Sequence, residues 1–171
     1  MQALMVCEPL PALKDFLESE DAALQREGST IIANIVAFGG PHVNEVIDTG
    51  CAALMIQLLR TTADEETQRS AARGAASLAK RGALAVLPQL GEAATVDAIL
   101  RALQTGLESG SLGTVRATVD FLEEVQCGLQ HCPAKAAGAG RSLLEDVSRT
   151  CPDIAVVNKV KRILQTLQSE E

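Results

Sequence analysis

The side chains with the most chemistry in them stand near one another in CGLQHCP, residues 127–133, which groups Cys127, His131 and Cys132, with Cys151 further on. In kind these are zinc ligands. Their spacing argues otherwise: there is no C-x-x-C pair, and His131 and Cys132 are adjacent, so both would rarely point at one ion. Cys127 and His131, four residues apart, are within reach of each other on a helix, as a nucleophile and its base would be. No Asn or Asp stands nearby to orient that base, and no oxyanion element follows. A metal- or thiol-dependent enzyme built on Cys127, His131 and Cys132 is therefore the alternative reading, beside the plain one of reduced thiols serving as small core or loop residues. The other histidine, His42, sits at a helix edge. The acidic groups 18–21, 64–66 and 123–124 are explained by helix starts and solvated faces. AAGAGRS, residues 136–142, lacks the Gly-Lys-Ser/Thr close and the preceding strand of a phosphate loop. No catalytic site, metal or cofactor is expected.

The elements that would carry these residues repeat. LQREGSTIIANIVAFGG, residues 24–40, returns 43 positions later as TQRSAARGAASLAKRGA, residues 67–83, with Gln25-Arg26 answered by Gln68-Arg69 and Gly39 by Gly82. Each copy is preceded by a shorter apolar helix. In 50–82 the short helix spans about 52–61 with Leu54, Leu58 and Leu59 on one side; Asp64 opens a long helix to about residue 81, along which Ala71, Ala75, Leu78 and Ala79 share a face. In 10–40 the same plan has Leu13, Phe16 and Leu17, then an acidic opening at 19–21, then Ile31, Ile32, Ile35 and Val36, and Gly39-Gly40 as the stop. Between them Val43, Val46 and Ile47 mark a very short helix, with Pro41 at its start.

A third unit is expected with a very short helix at 83–90 disturbed by Pro88, a helix over 96–107 capped by Thr95, a long turn at ESGSLG, and a helix over 114–129 with Val115, Val119, Leu122 and Val125 inward. A fourth has AKAAGAG as a loose connector and helices over 142–149 and 153–167, the last packing through Ile154, Val157, Val160, Ile163, Leu164 and Leu167. The tail QSEE should fray. Gly28 and Gly74, inside long helices, mark close approach of a neighbour. The units lie at about 10–40, 41–82, 83–130 and 133–169 of one domain, 1–171, and the fold class is an all-α solenoid of about three to four three-helix repeats.

The composition agrees. The chain has 171 residues, 47% hydrophobic, but aromatics are 2%, three Phe with no Trp or Tyr. Leu, Ile, Val and Ala must fill the core, which suits helix packing better than a β-sandwich. Net charge is −7, with no Lys/Arg block, so a nucleic-acid partner is not expected. No run approaches the ~18 apolar residues of a membrane span, and MQALMVCEPLPAL does not read as a signal peptide. A cytoplasmic protein, with the nucleus as the other compartment, is the expectation. The five cysteines, odd in number and irregular in spacing, fit a reducing environment.

Val46-Ile47-Asp48-Thr49-Gly50, then Leu58-Leu59, then the run 64–69 (Asp-Glu-Glu-Thr-Gln-Arg), then Leu78-Ala79 resembles an armadillo repeat. The match is good over 10–82, moderate over 83–126 and in outline over 133–169, where HEAT-like describes it equally. The resemblance implies a right-handed superhelix whose long third helices line a concave groove for extended peptides or partner proteins. In the importin-α and β-catenin branches an Asn on each third helix bonds the guest backbone; that position falls here on Asn34, Ser77, Glu124 and Thr166. The Trp position of importin-α falls on Thr30, Arg73, Asp120 and Arg162. One Asn and no Trp are kept, so recognition of nuclear-localisation signals is not implied.

Physics alone leaves the same row free, because neighbours stack to complete the core and the concave positions stay outside it. Asn34, Arg73, Ser77, Asp120, Glu124 and Arg162 are polar and mixed in sign, which suits a partner carrying both charges or one bound elsewhere; Glu66 is a second place for Arg73 to pair. The function read from the sequence is a non-enzymatic scaffold or adaptor that binds a protein or peptide along the concave face, with no nucleic-acid or membrane partner. The alternative is a regulatory or chaperone-like subunit, serving a GTPase, kinase or motor, that docks through a lateral face. The apolar start MQALMVCEPL is expected to pack on a symmetry mate, as self-association, or on an upstream portion missing from this sequence.

Overall fold

The computed structural model describes residues 9–81, 87–128 and 134–169; the apolar start at 1–8, the pair His131 and Cys132, and the end of QSEE at 170–171 lie outside the described residues. Within them are ten helices and no strand: α1 (Leu10–Glu18), α2 (Ala22–Phe38), α3 (His42–Asp48), α4 (Cys51–Thr61), α5 (Glu65–Lys80), α6 (Leu87–Leu90), α7 (Ala93–Ser109), α8 (Leu112–Gly128), α9 (Ala134–Thr150) and α10 (Ile154–Ser169).

Local chemistry sets the helix ends. Asp21 caps α2 by accepting from the Ala23 N–H at 2.8 Å. Asp64 caps α5 by accepting from the Thr67 N–H at 2.9 Å and the Thr67 hydroxyl at 2.7 Å. Asp153 caps α10 through the Ala155 N–H at 2.9 Å. Gly39 ends α2 at φ 84°, a left-handed value that side chains resist.

The helices form two parallel rows. α2, α5, α8 and α10 pack side by side in that order; so do α1, α4, α7 and α9, each against the long helix that follows it in sequence. Short α3 and α6 bridge successive pairs. Each inner helix of a row therefore has an earlier and a later neighbour of its own kind, which makes the chain an all-α solenoid. One cluster of buried side chains runs from Leu10 to Val125, and a second joins Leu103, Val115 and Val119 to Leu144, Val147, Val156, Val160 and Ile163; Leu122 touches both. Phe121 is the one fully buried aromatic among the described residues.

The middle of α5 is written in small residues. Ala71, Ala72, Ala75 and Gly74 are buried, and a Cβ added at Gly74 would meet the Met55 side chain of α4 and lie 3.4 Å from the Ala33 Cα of α2. Three helices crowd onto this stretch, so it repeats the frame of α2 with a thinner interior.

The structure departs from the sequence expectations at five places. AKAAGAG is not a connector: it is the first half of α9, and Gly140 packs against Leu100. Alanines favour the helix, and a glycine inside it lets α7 come close. Thr95 is no cap. It lies within α7, fully buried, its hydroxyl donating to the Gln89 carbonyl at 2.7 Å and accepting from Arg60. Arg60 also reaches Glu92 at 2.7 Å, tying the α6–α7 turn to α4. Pro88 sits in the first turn of α6, where its missing N–H costs nothing. ESGSLG is a tight turn, only Gly110 and Ser111 standing between α7 and α8, with Gly110 at φ 72°. Ile154 is 76% exposed while Val156 is buried, because Asp153 takes the cap and sets the helical phase.

Ser29 is fully buried in α2 and its hydroxyl has no hydrogen-bond partner among the described residues. Leaving a buried hydroxyl unsatisfied costs about 1–3 kcal/mol. Ser29→Ala is therefore expected to raise stability by roughly 1 kcal/mol, read as a higher midpoint in urea unfolding with an unchanged slope. Gly106→Ala should do the reverse. The new Cβ would lie 3.0 Å from the Thr114 Cβ and 3.3 Å from Val115 Cγ2, both on rigid branched side chains. The overpacking penalty of about 1–3 kcal/mol outweighs the ~1 kcal/mol that Ala gains in a helix, and the same urea titration checks it.

Candidate functional site

The residues that the sequence assigns to the concave face all lie on the row α2, α5, α8 and α10, while Cys151 stands between α9 and α10, half-buried, and His42 begins α3. Asn34 and Arg73 are exposed and bonded to each other: an Arg73 Nη2 hydrogen is donated to Asn34 Oδ1 at 2.7 Å across the α2–α5 seam. Four residues earlier Thr30 is half-buried, its hydroxyl 3.0 Å from that of Ser70. Ser77 donates back to the Arg73 carbonyl at 3.0 Å, one turn along its own helix. Glu66 is not Arg73's partner, because Arg69 holds it. Thr166, exposed on α10, donates to the Arg162 carbonyl at 3.1 Å.

At the other end, Asp120 accepts from Lys159 of α10. Arg162 does not meet Asp120; it is bonded to Glu123 at 3.0 Å through Nε, and Lys159 stands 3.5 Å from Glu123 as well. Glu124 is half-buried beside them. Sequence reasoning missed Glu123 and Lys159. Their signal was the offset between opposite signs: Asp120 to Lys159 and Glu123 to Arg162 share one spacing, which places them across neighbouring helices and not along one.

Further pairs at the N-terminal ends of these helices stitch the row. Arg26 reaches across to the Asp64 cap at 2.9 Å, and Arg116 to the Asp153 cap. Glu65 accepts from the Ser109 hydroxyl at 3.2 Å and the Thr114 hydroxyl at 3.1 Å, which fastens the α7–α8 turn to the start of α5. At the C-terminal end Arg81 donates to the Val36 and Ala37 carbonyls at 2.9 and 2.7 Å, capping α2 from the next repeat.

These contacts move the titration of the carboxyls. Hydrogen bonding, from Ser111 foremost and then Thr114 and Ser109, holds Glu65 below the usual carboxylate range against a smaller penalty of burial. Arg116, then the Ala155 N–H, lowers Asp153. Burial works against the Asp64 charge, but the Thr67 hydroxyl and N–H together with Arg26 prevail, so its pKa is lowered. Burial likewise opposes the Lys159 ammonium, and the hydrogen bond and charge of Asp120, with Glu123, outweigh it and raise its pKa.

A shallow hollow of about 500 Å³ opens where α2 ends, α3 begins and α5 ends, lined by Gly40, Val43, Asn44, Lys80 and Arg81. A second, of about 430 Å³, lies between α7 and α9 on the other row, lined by residues that include Asp97, Leu100, Arg101 and Asp146. No group of His, Cys, Asp and Glu among the described residues is placed to hold a metal ion. No helix among the described residues is long and apolar enough to cross a membrane.

A folded-state pKa below the unfolded one stabilises above the unfolded pKa and is lost as pH falls through the folded value. Glu65, Asp64 and Asp153 are all lowered, from ordinary values of 4.5 for Glu and 3.8 for Asp. The stack should thus hold an even urea midpoint down to the ordinary carboxylate range and weaken progressively below it. Thr114→Val should flatten the acid limb, which urea titrations at stepped pH will read directly.

No family model matches the sequence, and no curated protein matches it. Solved structures do. An engineered protein from a structural genomics consortium superposes with a TM-score of 0.69 at 23% identity, covering 98% of this chain and 66% of its own. A second superposes at 0.64 with 22% identity, covering 94% of this chain and 38% of its own. A designed armadillo repeat protein in complex with the peptide (KR)4 superposes at 0.54 with 19% identity, covering 97% of this chain and 84% of its own. The chain spans just under two thirds of the first engineered protein and well under half of the second. Helix order, the two stacked rows and these superpositions agree: the chain has the fold of an armadillo-like repeat solenoid.

Proposed function

We propose that this chain is a non-catalytic interaction scaffold that holds a partner protein or an extended peptide along the face formed by α2, α5, α8 and α10. The observation that carries the reading is the row itself. Four successive long helices carry Thr30, Asn34, Arg73, Ser77, Asp120, Glu124 and Arg162 along one polar row, in which Thr30, Asn34, Arg73, Asp120 and Arg162 are bonded across the seams. Such a surface is preformed, so a guest would bind without ordering the scaffold. The peptide held by a designed armadillo repeat protein of the same fold adds support. The compartment we propose is the cytoplasm or nucleus.

The hollow between α7 and α9 favours a second reading, a regulatory or chaperone-like subunit that docks a folded partner through that lateral face. A photo-cross-linking side chain at Ser77 or Thr166 should capture the partner, and one at Gln104 of α7 should not. Capture from Gln104 alone supports the lateral reading and removes the first. Charge reversal at Glu124 should weaken the complex about tenfold if a guest cation sits there, measured by titration calorimetry with the captured partner, and should leave a lateral complex unchanged.

A further inference from the structure

The two ends of the polar row differ in their charge balance. Between α8 and α10 the charges answer one another: Asp120 and Glu123 are bonded to Lys159 and Arg162. Between α2 and α5 they do not. Arg73 is held by a neutral amide, and no carboxylate among the described residues pairs with it. Lys80 lies on the same stripe of α5, two turns or about 10 Å further along, and is exposed. Arg81 beside it spends its guanidinium on backbone carbonyls of α2. The hollow that Lys80 and Arg81 border is lined by Gly40, Val43 and Asn44, with no acidic side chain among the described residues. The acids of this seam stand toward its opposite end: Asp64 and Glu66 are taken by Arg26 and Arg69, and Glu27, exposed on the Asn34 stripe of α2, lies two turns or about 10 Å before Asn34.

The bond between Arg73 and Asn34 also sets the direction of the amide. Because Oδ1 accepts from the guanidinium, the Nδ2 hydrogens of Asn34 are the ones left for a guest. The seam thus offers donors: Asn34 Nδ2, the remaining Arg73 N–H groups and the Lys80 ammonium. Donors with uncompensated positive charge suit carboxylates, and Arg suits them in a two-pronged contact. The chain as a whole carries a net charge of −7, so a guest drawn to this seam by charge must be selected locally, at short range.

We infer that the α2–α5 seam seats an acidic extended segment of the partner, with one carboxylate on Arg73 and Asn34 Nδ2 and another at Lys80 beside the hollow. This rests on the scaffold reading above and names the chemistry of its guest at this end of the row. The guest differs in sign from the (KR)4 peptide held by the designed protein of the same fold.

The test uses the whole chain and short synthetic peptides, one alternating Glu with Ser and one alternating Lys with Ser, followed by fluorescence anisotropy at low salt. The Glu peptide should bind about tenfold more tightly than the Lys peptide, and added salt should weaken it. Asn34→Asp keeps the shape of the side chain but gives Arg73 a carboxylate of its own; it should cut binding of the Glu peptide by about tenfold, as should Lys80→Glu. Both positions are exposed, and unchanged thermal unfolding shows that the stack is intact. Equal or tighter binding of the Lys peptide, no binding of either peptide, or indifference of the Glu peptide to Asn34→Asp overturns the inference. Binding of the Lys peptide that is lost on Glu124→Lys overturns it while leaving the scaffold reading in place, since the guest would then sit at the α8–α10 end.

Discussion

Everything in this molecule depends on how closely α5 can be approached. It lies between α2 and α8 in one row and against α4 of the other, and its buried face is Thr67, Ser70, Ala71, Ala72, Gly74, Ala75, Ala76 and Leu78. With side chains this short, the backbones of neighbouring helices come near enough for polar groups at the rims of the seams to touch. Larger side chains there would part the helices, and the bonds from Arg26 to Asp64 and from Arg73 to Asn34 would open. The scarcity of aromatics follows from the same need. Helices that approach over Ala and Gly leave little space for rings, and Phe121 fills the one deep place for a ring among the described residues, in α8.

The polar row is consequently part of the stack as well as a surface. Seams joined by charged pairs at their exposed rims gain little stability from each pair, but each pair fixes the rotation of one helix against the next. Arg81 illustrates it: a cation of one repeat closes the end of the long helix of the previous repeat. An isolated repeat would leave that helix end open and its apolar side wet, which is the physical reason that such units exist only in stacks.

The large pattern was readable because it is periodic. The copy of 24–40 at 67–83, the acidic openings at 19–21 and at Asp64 and the stop at Gly39 are local signals, each acting within one turn of helix. Two of the errors fell where a local signal was outweighed by a contact distant in sequence. AKAAGAG carries glycines that suggest a loop, yet α7 packs on Gly140 and the helix persists. Thr95 has the chemistry of a cap, but Arg60, 35 residues away, draws its hydroxyl inward. Ile154 was assigned to the core by type alone, and the cap at Asp153 turned it outward.

For the candidate site the division is sharper. The sequence by itself determined which residues stand on the outer stripe of each long helix, because 3.6-residue periodicity puts Arg73, Ser77 and Lys80 in line and away from the alanines. It also determined that the row would be polar and of mixed sign. Only the tertiary structure decided which charges cancel. Lys159 meets Asp120 and Arg162 meets Glu123, while Arg73 meets an amide, since the partner of each is set by the stagger of two helices nearly forty residues apart. That stagger comes from side-chain packing in the seam, which no local stretch of sequence encodes.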